Sequence, residues 1–437
     1  MVFLLGFYQL LVMLLLAGLV GLVAWGRIER HWVSIGILAV LLVSGAVSPL
    51  EAVSYVDWDV LGLILGMSIL TVFLEESGLM ELVARFLEKR LSNPWRLVFG
   101  LSLMAGIVSI ALENVTVVLL FAPVTLRLAI RMGLNPVPVL IGVALASNMS
   151  GSATMIGDPP AILTAGYFNL AFMDFIWYGW RPSMFFLTLI PMIIACLVLA
   201  FVVVREVRNY TVVEGIEEVP EEFDYDKVFL FEAVLFLSIK ILLLSLRHML
   251  HISLSLAAAI GAGGLIITRL MHGDIASVKK ALIDGFEWKL LVFLIGVFTL
   301  SGAFAKHGLA GMVANGILFL GSDNLFLITT LLVWISVLVS AVIDNVPYTA
   351  TMLPVVAIIA QNLGVEPITI AWALLLGLTL GGNLTYIGAS ANVTAVRILE
   401  RKGYNVSFKD FIKISLPFNT VSVVTGWILY EILWIYL

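Results

Sequence analysis

Asn148-Met-Ser-Gly-Ser-Ala-Thr-Met-Ile-Gly-Asp-Pro-Pro160 interrupts one apolar run of this chain, and Gly381-Gly-Asn-Leu-Thr-Tyr-Ile-Gly-Ala-Ser-Ala-Asn392 interrupts another. The runs, residues 138–168 and 368–399, are long enough to cross a bilayer, which takes about 20 apolar residues. A centre rich in Gly, Ser, Thr and Asn does not sustain a continuous helix against lipid. Unpaired N–H and C=O groups there cost several kcal/mol each, on the order expected for any buried polar group. Both centres are therefore expected to be unwound and turned toward protein or water. Two further runs, residues 96–131 and 325–361, are split midway by Glu113-Asn-Val-Thr116 and Asp344-Asn-Val-Pro347. Each of these reads as a re-entrant hairpin.

Sliding the chain against itself by 231 positions ties the four breaks together. Residues 113–160 then fall on 344–391 with 12 identities in 48. Asn114 meets Asn345, Pro123 meets Pro354, Gly151 meets Gly382, Thr154 meets Thr385 and Gly157 meets Gly388, matches that apolar composition alone does not select. Full spans are expected near residues 8–25, 33–50, 58–75, 183–204, 229–247, 253–271, 289–305 and 414–436. With the two broken helices they make ten crossings, five in each half, so the second half enters the membrane in the opposite orientation. The expected fold class is an all-α polytopic membrane protein. It consists of two inverted five-crossing repeats, residues 1–204 and 229–437, joined by an acidic cytoplasmic linker at 205–228. Amphipathic stretches at 78–91 and 308–320, one before each hairpin, fit helices lying in the membrane interface.

Composition and charge agree with this reading. Of 437 residues, 61% are hydrophobic and 12% charged, against roughly 45–50% and 25% in soluble domains, which excludes a water-soluble single core. A net charge of −5 offers no basic surface for nucleic acid. The lone Cys196 rules out a disulfide framework or a cysteine metal site, and His248 and His251 have no evident third ligand. With the spans above, twenty Lys and Arg fall on one side of the membrane and three, Arg181, Arg247 and Lys306, on the other. Basic residues accumulate in cytoplasmic loops, so both termini are expected outside, with the first hairpin opening to the cytoplasm and the second outward. The first apolar run lacks a basic leader and is expected to stay as a helix.

Inverted repeats with paired broken helices are the architecture of secondary transporters, with the site near the midplane where the repeats meet. The candidate residues at the hairpin tips are Asn114, Thr116, Asn345 and Thr349. Those at the helix breaks are Asn148, Ser150, Ser152, Thr154, Asn383, Thr385, Ser390 and Asn392. Their oxygens, with unwound carbonyls, suit a hard cation such as sodium. Backbone N–H groups at half-helix N-termini suit an oxyanion. Three carboxylates join the set, Glu113 and Asp344 at equivalent tips and Asp158 before Pro159-Pro160. A charge at bilayer centre costs about 2.5–3.5 kcal/mol even on insertion scales, which makes these residues coupling candidates. Asp158 also reads as a helix cap or turn-former ahead of the Pro pair, and its repeat partner, Ala389, means that symmetry does not require it. Lys240 is a fourth intramembrane charge, able to neutralise a carboxylate, move a proton, or pair structurally.

The four interruptions resemble those of the ion transporter superfamily, in its arsenite-permease, pink-eyed-dilution P-protein and citrate-transporter-like branch, over nearly the whole chain. The resemblance implies a homodimer in which a fixed scaffold flanks a transport domain that moves as an elevator. In dicarboxylate relatives, Ser-Asn-Thr motifs at the hairpin tips bind sodium and a substrate carboxylate. Asn114, Thr116 and Asn345 correspond here, but Glu113 and Asp344 stand where the serines would be, and their charge would repel a polycarboxylate. The expectation is a sodium- or proton-coupled secondary transporter of a small anion or arsenite, with no cofactor beyond sodium ions bound at the tips. A sodium/proton antiporter using the same carboxylates and an anion channel are the alternatives. An intramembrane aspartyl protease fits poorly, because Met155 stands where the Gly-x-Gly-Asp signature needs glycine and Pro159-Pro160 would break its helix.

Overall fold

The computed structural model describes residues 6–25, 27–79, 82, 83, 86, 90, 91, 93–208 and 226–437. Most of the expected linker at 205–228 and half of the stretch 78–91 lie outside these. The first half comprises α1 (Phe7–Trp25), α2 (Arg30–Val43), α3 (Pro49–Tyr55), α4 (Trp58–Glu76), α5 (Pro94–Ser109), α6 (Asn114–Arg131), α7 (Pro136–Gly151), α8 (Pro159–Tyr167) and α9 (Met184–Arg208). The second comprises α10 (Lys227–Ser245), α11 (Arg247–Leu250), α12 (Leu254–Met271), α13 (Ile275–Asp284), α14 (Trp288–Lys306) and α15 (Leu309–Gly321). It continues through α16 (Leu325–Ser340), α17 (Asn345–Leu363), α18 (Pro367–Gly381), α19 (Ser390–Arg401) and α20 (Phe408–Tyr430). Among the described residues, strand structure is confined to an antiparallel pair, β1 (Trp177–Tyr178) and β2 (Arg181–Pro182).

Eight helical segments among the described residues are long and apolar enough to cross a membrane, which supports the multi-pass reading. The expected span 33–50 is not one helix. α2 stops at Val43, Gly45 turns the chain at a φ of +72°, and a Ser48/Glu51 capping box starts α3. α15 and α16 meet at a 119° bend, so the amphipathic stretch expected at 308–320 is a separate helix.

The element boundaries follow from local chemistry. Side chains of Asn93, Asn135 and Asn324 accept the backbone N–H groups of Arg96, Val137 and Leu327 at 2.8, 3.0 and 3.1 Å. Pro94 and Pro136 occupy the first turn, where a missing N–H costs nothing. Every residue of α18 from Ile368 to Gly381 is buried, as is nearly all of α7. Helices apolar on every side belong inside a bundle, and these two carry the chain into the breaks sheathed by protein.

The helices pack in two groups. One is built on α2 with α14 and on α4 with α10, α12 and α13; the other contains α5 to α9 and α16 to α20. Contacts of α8 with α4 and of α14 and α15 with α17 join them. Cys196 is buried in α9, its Sγ 3.6 Å from Met192 Sδ.

Candidate functional site

α5 ends at Ser109 and α6 begins at Asn114, leaving a four-residue turn at the first tip; α16 ends at Ser340 and α17 begins at Asn345, leaving the same turn at the second. The Ser109 hydroxyl lies 2.7 Å from Asn114 Oδ1 and 2.9 Å from the Ser147 carbonyl on α7. In the second half the Ser340 hydroxyl donates to Asn345 Oδ1 and lies 2.5 Å from the Leu378 carbonyl on α18. The Thr154 hydroxyl donates to the Ile110 carbonyl at 2.6 Å, and the Thr385 hydroxyl donates to the Ala341 carbonyl. Every partner in one set is 231 residues from its counterpart in the other. Each tip is thus pinned to its neighbouring break by the same bonds.

Glycine permits the closest approach in each set. A Cβ on Gly157 would lie 2.3 Å from the Gly151 carbonyl oxygen and 2.7 Å from that of Ser109. On Gly388 it would lie 2.5 Å from the Ser340 oxygen and 2.8 Å from the Gly382 oxygen. Backbone therefore crosses backbone at both breaks, bringing carbonyl oxygens together beside the tip asparagines. Oxygen ligands of this kind suit a hard cation.

The two breaks also touch each other. Asn148 Nδ2 donates to Asn383 Oδ1 at 3.0 Å and to the Thr379 carbonyl at 3.3 Å, and Asn383 Nδ2 returns a bond to the Leu145 carbonyl at 2.9 Å. The Thr379 hydroxyl donates to Ser152 Oγ at 2.8 Å. Thr379 is the repeat partner of Asn148, and Asn383 that of Ser152. Position i of one half meets position j of the other, and j meets i, the contact pattern of a two-fold relation. Helix packing repeats it, with α6 against α19 and α8 against α17.

The remaining candidates sort by their surroundings. Ser152 extends the chain of bonds from Thr379 to Asp158, its Oγ 3.1 and 3.0 Å from the two carboxylate oxygens. Asp158 Oδ1 also accepts the Ala161 N–H at 3.1 Å, so it caps α8 as well as ending this chain. Asn392 is fully buried, its Nδ2 facing the Gly382 carbonyl at 3.1 Å and Asn383 Oδ1 at 3.4 Å. Its Oδ1 and the buried Ser150 hydroxyl have no hydrogen-bond partner among the described residues. Thr116 is buried in α6, and Thr349 bonds to its own helix at the Asn345 carbonyl. Ser390 is exposed at the start of α19.

Glu113 and Asp344 are the N-caps of α6 and α17. Asp344 Oδ1 accepts the Val346 N–H at 3.0 Å, while its Oδ2 lies 3.8 Å from the guanidinium of Arg30. Glu113 makes no side-chain capping bond and lies within electrostatic reach of Glu287 and Arg30. Lys240 is placed apart from this set. It is fully buried in α10, which packs on α4 and α12, and its Nζ faces the thioether of Met67.

Sequence reasoning missed Ser109, Ser147, Ser340, Thr379, Arg30 and Glu287. The two serines that pin the tips were within reach, since Ser109 and Ser340 are themselves 231 apart, four residues before the matching stretches begin. Arg30 and Glu287 lie at helix ends far from the tips in sequence, and no local pattern marks them.

Residues 20–377 match the model of the family described as citrate transporter. Among curated proteins, an uncharacterized transporter of Mycobacterium tuberculosis is 34% identical over 391 residues, covering 86% of this chain and 87% of that protein. The P protein of Homo sapiens is 28% identical over 494 residues, 94% of this chain and 58% of the relative. Two solved structures share the fold at 15% identity. The YdaH transporter of Alcanivorax borkumensis has a TM-score of 0.56 over 93% of this chain and 98% of its own. MtrF of Neisseria gonorrhoeae has a TM-score of 0.54 over 87% and 81%.

Proposed function

The chain belongs to the citrate transporter family, and from that membership we propose a secondary active transporter, coupled to sodium or protons, that moves a small anion or arsenite. The observation that carries the reading is the reciprocal bonding of Asn148 and Ser152 with Thr379 and Asn383. A two-fold relation between halves that each contribute a tip and a break supports inverted repeats, with the site where they meet. The tips and breaks form one helix group and α2, α4, α12 and α14 the other. That division supports an elevator in which the first group moves against the second, in a homodimer.

Coupling follows from charge. A cation or proton bound beside Glu113, Asp344 or Asp158 changes the net charge of the moving group and with it the favoured position. Two tip carboxylates disfavour a polycarboxylate such as citrate, so the substrate class is a small anion of low charge, or neutral arsenite. The grouping of Glu113, Asp344 and Glu287 around Arg30 favours one second reading, sodium/proton antiport, in which the cation is cargo.

Proteoliposomes with imposed sodium or pH gradients, with and without candidate anions, test the proposal. Accumulation of an anion or arsenite against its gradient is expected, with Asp344→Asn folded but inactive or uncoupled. Cation exchange without an anion would favour the antiporter, and flux that equilibrates without ever concentrating substrate would sink both in favour of a channel.

A further inference from the structure

We propose that Arg30 is a latch between the two helix groups: it pairs with Asp344 and holds the second tip in its present position until the charge on Asp344 is cancelled. The inference rests on the transporter reading and adds a positioning residue to it.

Arg30 opens α2, on the group that carries neither tip. Its guanidinium carbon lies 5.3 Å from the ring centroid of Phe293 on α14, a stacking contact that keeps the side chain on its own group. From there NH1 reaches to 3.8 Å from Asp344 Oδ2. The other Asp344 oxygen is held by the Val346 N–H, which aims Oδ2 outward from α17. Arg30 also acts on Glu113 of the first tip and on Glu287, the N-cap of α14. One cation on the group without tips therefore pairs with Asp344 and lies within electrostatic reach of Glu113 on the other tip and of Glu287 on its own side.

An ion pair spanning two bodies lasts only while they keep their relative position. A displacement of the tips by a few ångströms along α2 would separate Arg30 from Asp344. The side chains are 40% and 25% exposed, so the pair is weak, worth a population factor of about two to five. That is enough to bias a resting state without trapping it. Binding of sodium or a proton at Asp344 removes the attraction and frees the tip, whereas an unloaded, charged tip stays held. In antiport, where empty return uncouples the two fluxes, Arg30 would oppose that return; in symport it would slow the empty step of the cycle.

A cavity supplies the readout. A space of about 800 Å³ lies between the same two groups, with Tyr55, Ala305 and Lys306 on one wall and Leu163, Tyr167 and Leu353 on the other. Its second wall belongs to α8 and α17, so movement of the tip-bearing group alters access to Ala305, which is exposed here. Ala305→Cys, with the buried Cys196 left in place, can be labelled by a membrane-impermeant maleimide in reconstituted protein.

In sodium-free buffer the labelling rate of Ala305→Cys should change about two- to five-fold when Arg30→Gln is added, in the direction that sodium or acid produces in the Arg30 parent. Arg30→Asp should change it further, Arg30→Lys should stay near the parent, and Arg30→Asp with Asp344→Arg should return toward it, a rescue that loss of packing would not give. If Arg30→Gln and Arg30→Asp label as the parent does while sodium or acid still shifts the parent, the latch is refuted and the transporter reading stands. If no ion and no Arg30 variant moves the rate, both fall.

Discussion

Replacing Gly157 by alanine asks whether backbone really crosses backbone at the break. The new Cβ would lie 2.3 Å from the Gly151 oxygen and 2.7 Å from the Ser109 oxygen, whereas carbon-to-oxygen contacts settle at about 3.3 Å or more. One strand of main chain must move by about 1 Å, and neither oxygen belongs to a side chain that can rotate away. Overpacking of this kind costs about 1–3 kcal/mol. For a chain of 437 residues, an unfolding entropy of roughly 2.1 cal/mol/K per residue turns that into a fall of about 1–3 °C in thermal midpoint. Gly388→Ala meets the Ser340 and Gly382 oxygens at 2.5 and 2.8 Å and should behave alike. Gly263→Ala, with nothing within 4 Å in the middle of α12, should instead gain up to about 1 kcal/mol of helix propensity. Midpoints by fluorescence-detected size exclusion, beside uptake by the reconstituted protein, give both readouts. Uptake should fall further than stability, because the displaced carbonyls border the tip. If Gly157→Ala and Gly388→Ala keep both midpoint and uptake, the crossing is not as described. If one is tolerated and the other is not, the two centres are not equivalent.

Two further outcomes follow. Asn148→Ala and Asn383→Ala should each cost about 1–3 kcal/mol by leaving buried partners unsatisfied, and the double variant should cost less than the sum by at least about 0.5 kcal/mol; strict additivity of the midpoints would refute their direct bond. Lys306, donating to Glu51 at 2.8 Å, with the Ser48 N–H adding to it, holds the Glu51 carboxyl down at about 2. A depressed carboxylate contributes stability above its ordinary range that is lost as pH falls, so the midpoint should decline between about pH 4.5 and 2, and decline less in Glu51→Gln.

Most helices were legible because lipid-length apolar runs obey local rules; the starts at Asn93-Pro94 and Asn135-Pro136 obey them too. The two centres were legible because unusual residues recur 231 positions apart, so Asn114, Gly157 and their partners stood out from an apolar background. What remained hidden depends on distance in the chain. The turn at Gly45 that ends α2 early sits in a run whose hydrophobicity reads as continuous. Arg30 looked like any basic residue at a helix end, because its meeting with Asp344 joins positions more than three hundred residues apart. Lys240 was legible as a charge inside a span, but its neighbour, Met67, was not.

The bond between Ser152 and Asp158 has no twin, since the matching positions are Asn383 and Ala389. Had the halves stayed identical, a carrier of the proposed kind would weigh its two end positions equally and rest at neither. In the proposed two-fold arrangement, whatever tilts the balance lies where the halves differ, and this carboxylate with its serine is one such place. The divergent residues, more than the shared ones, would then decide which face of the membrane the empty molecule prefers.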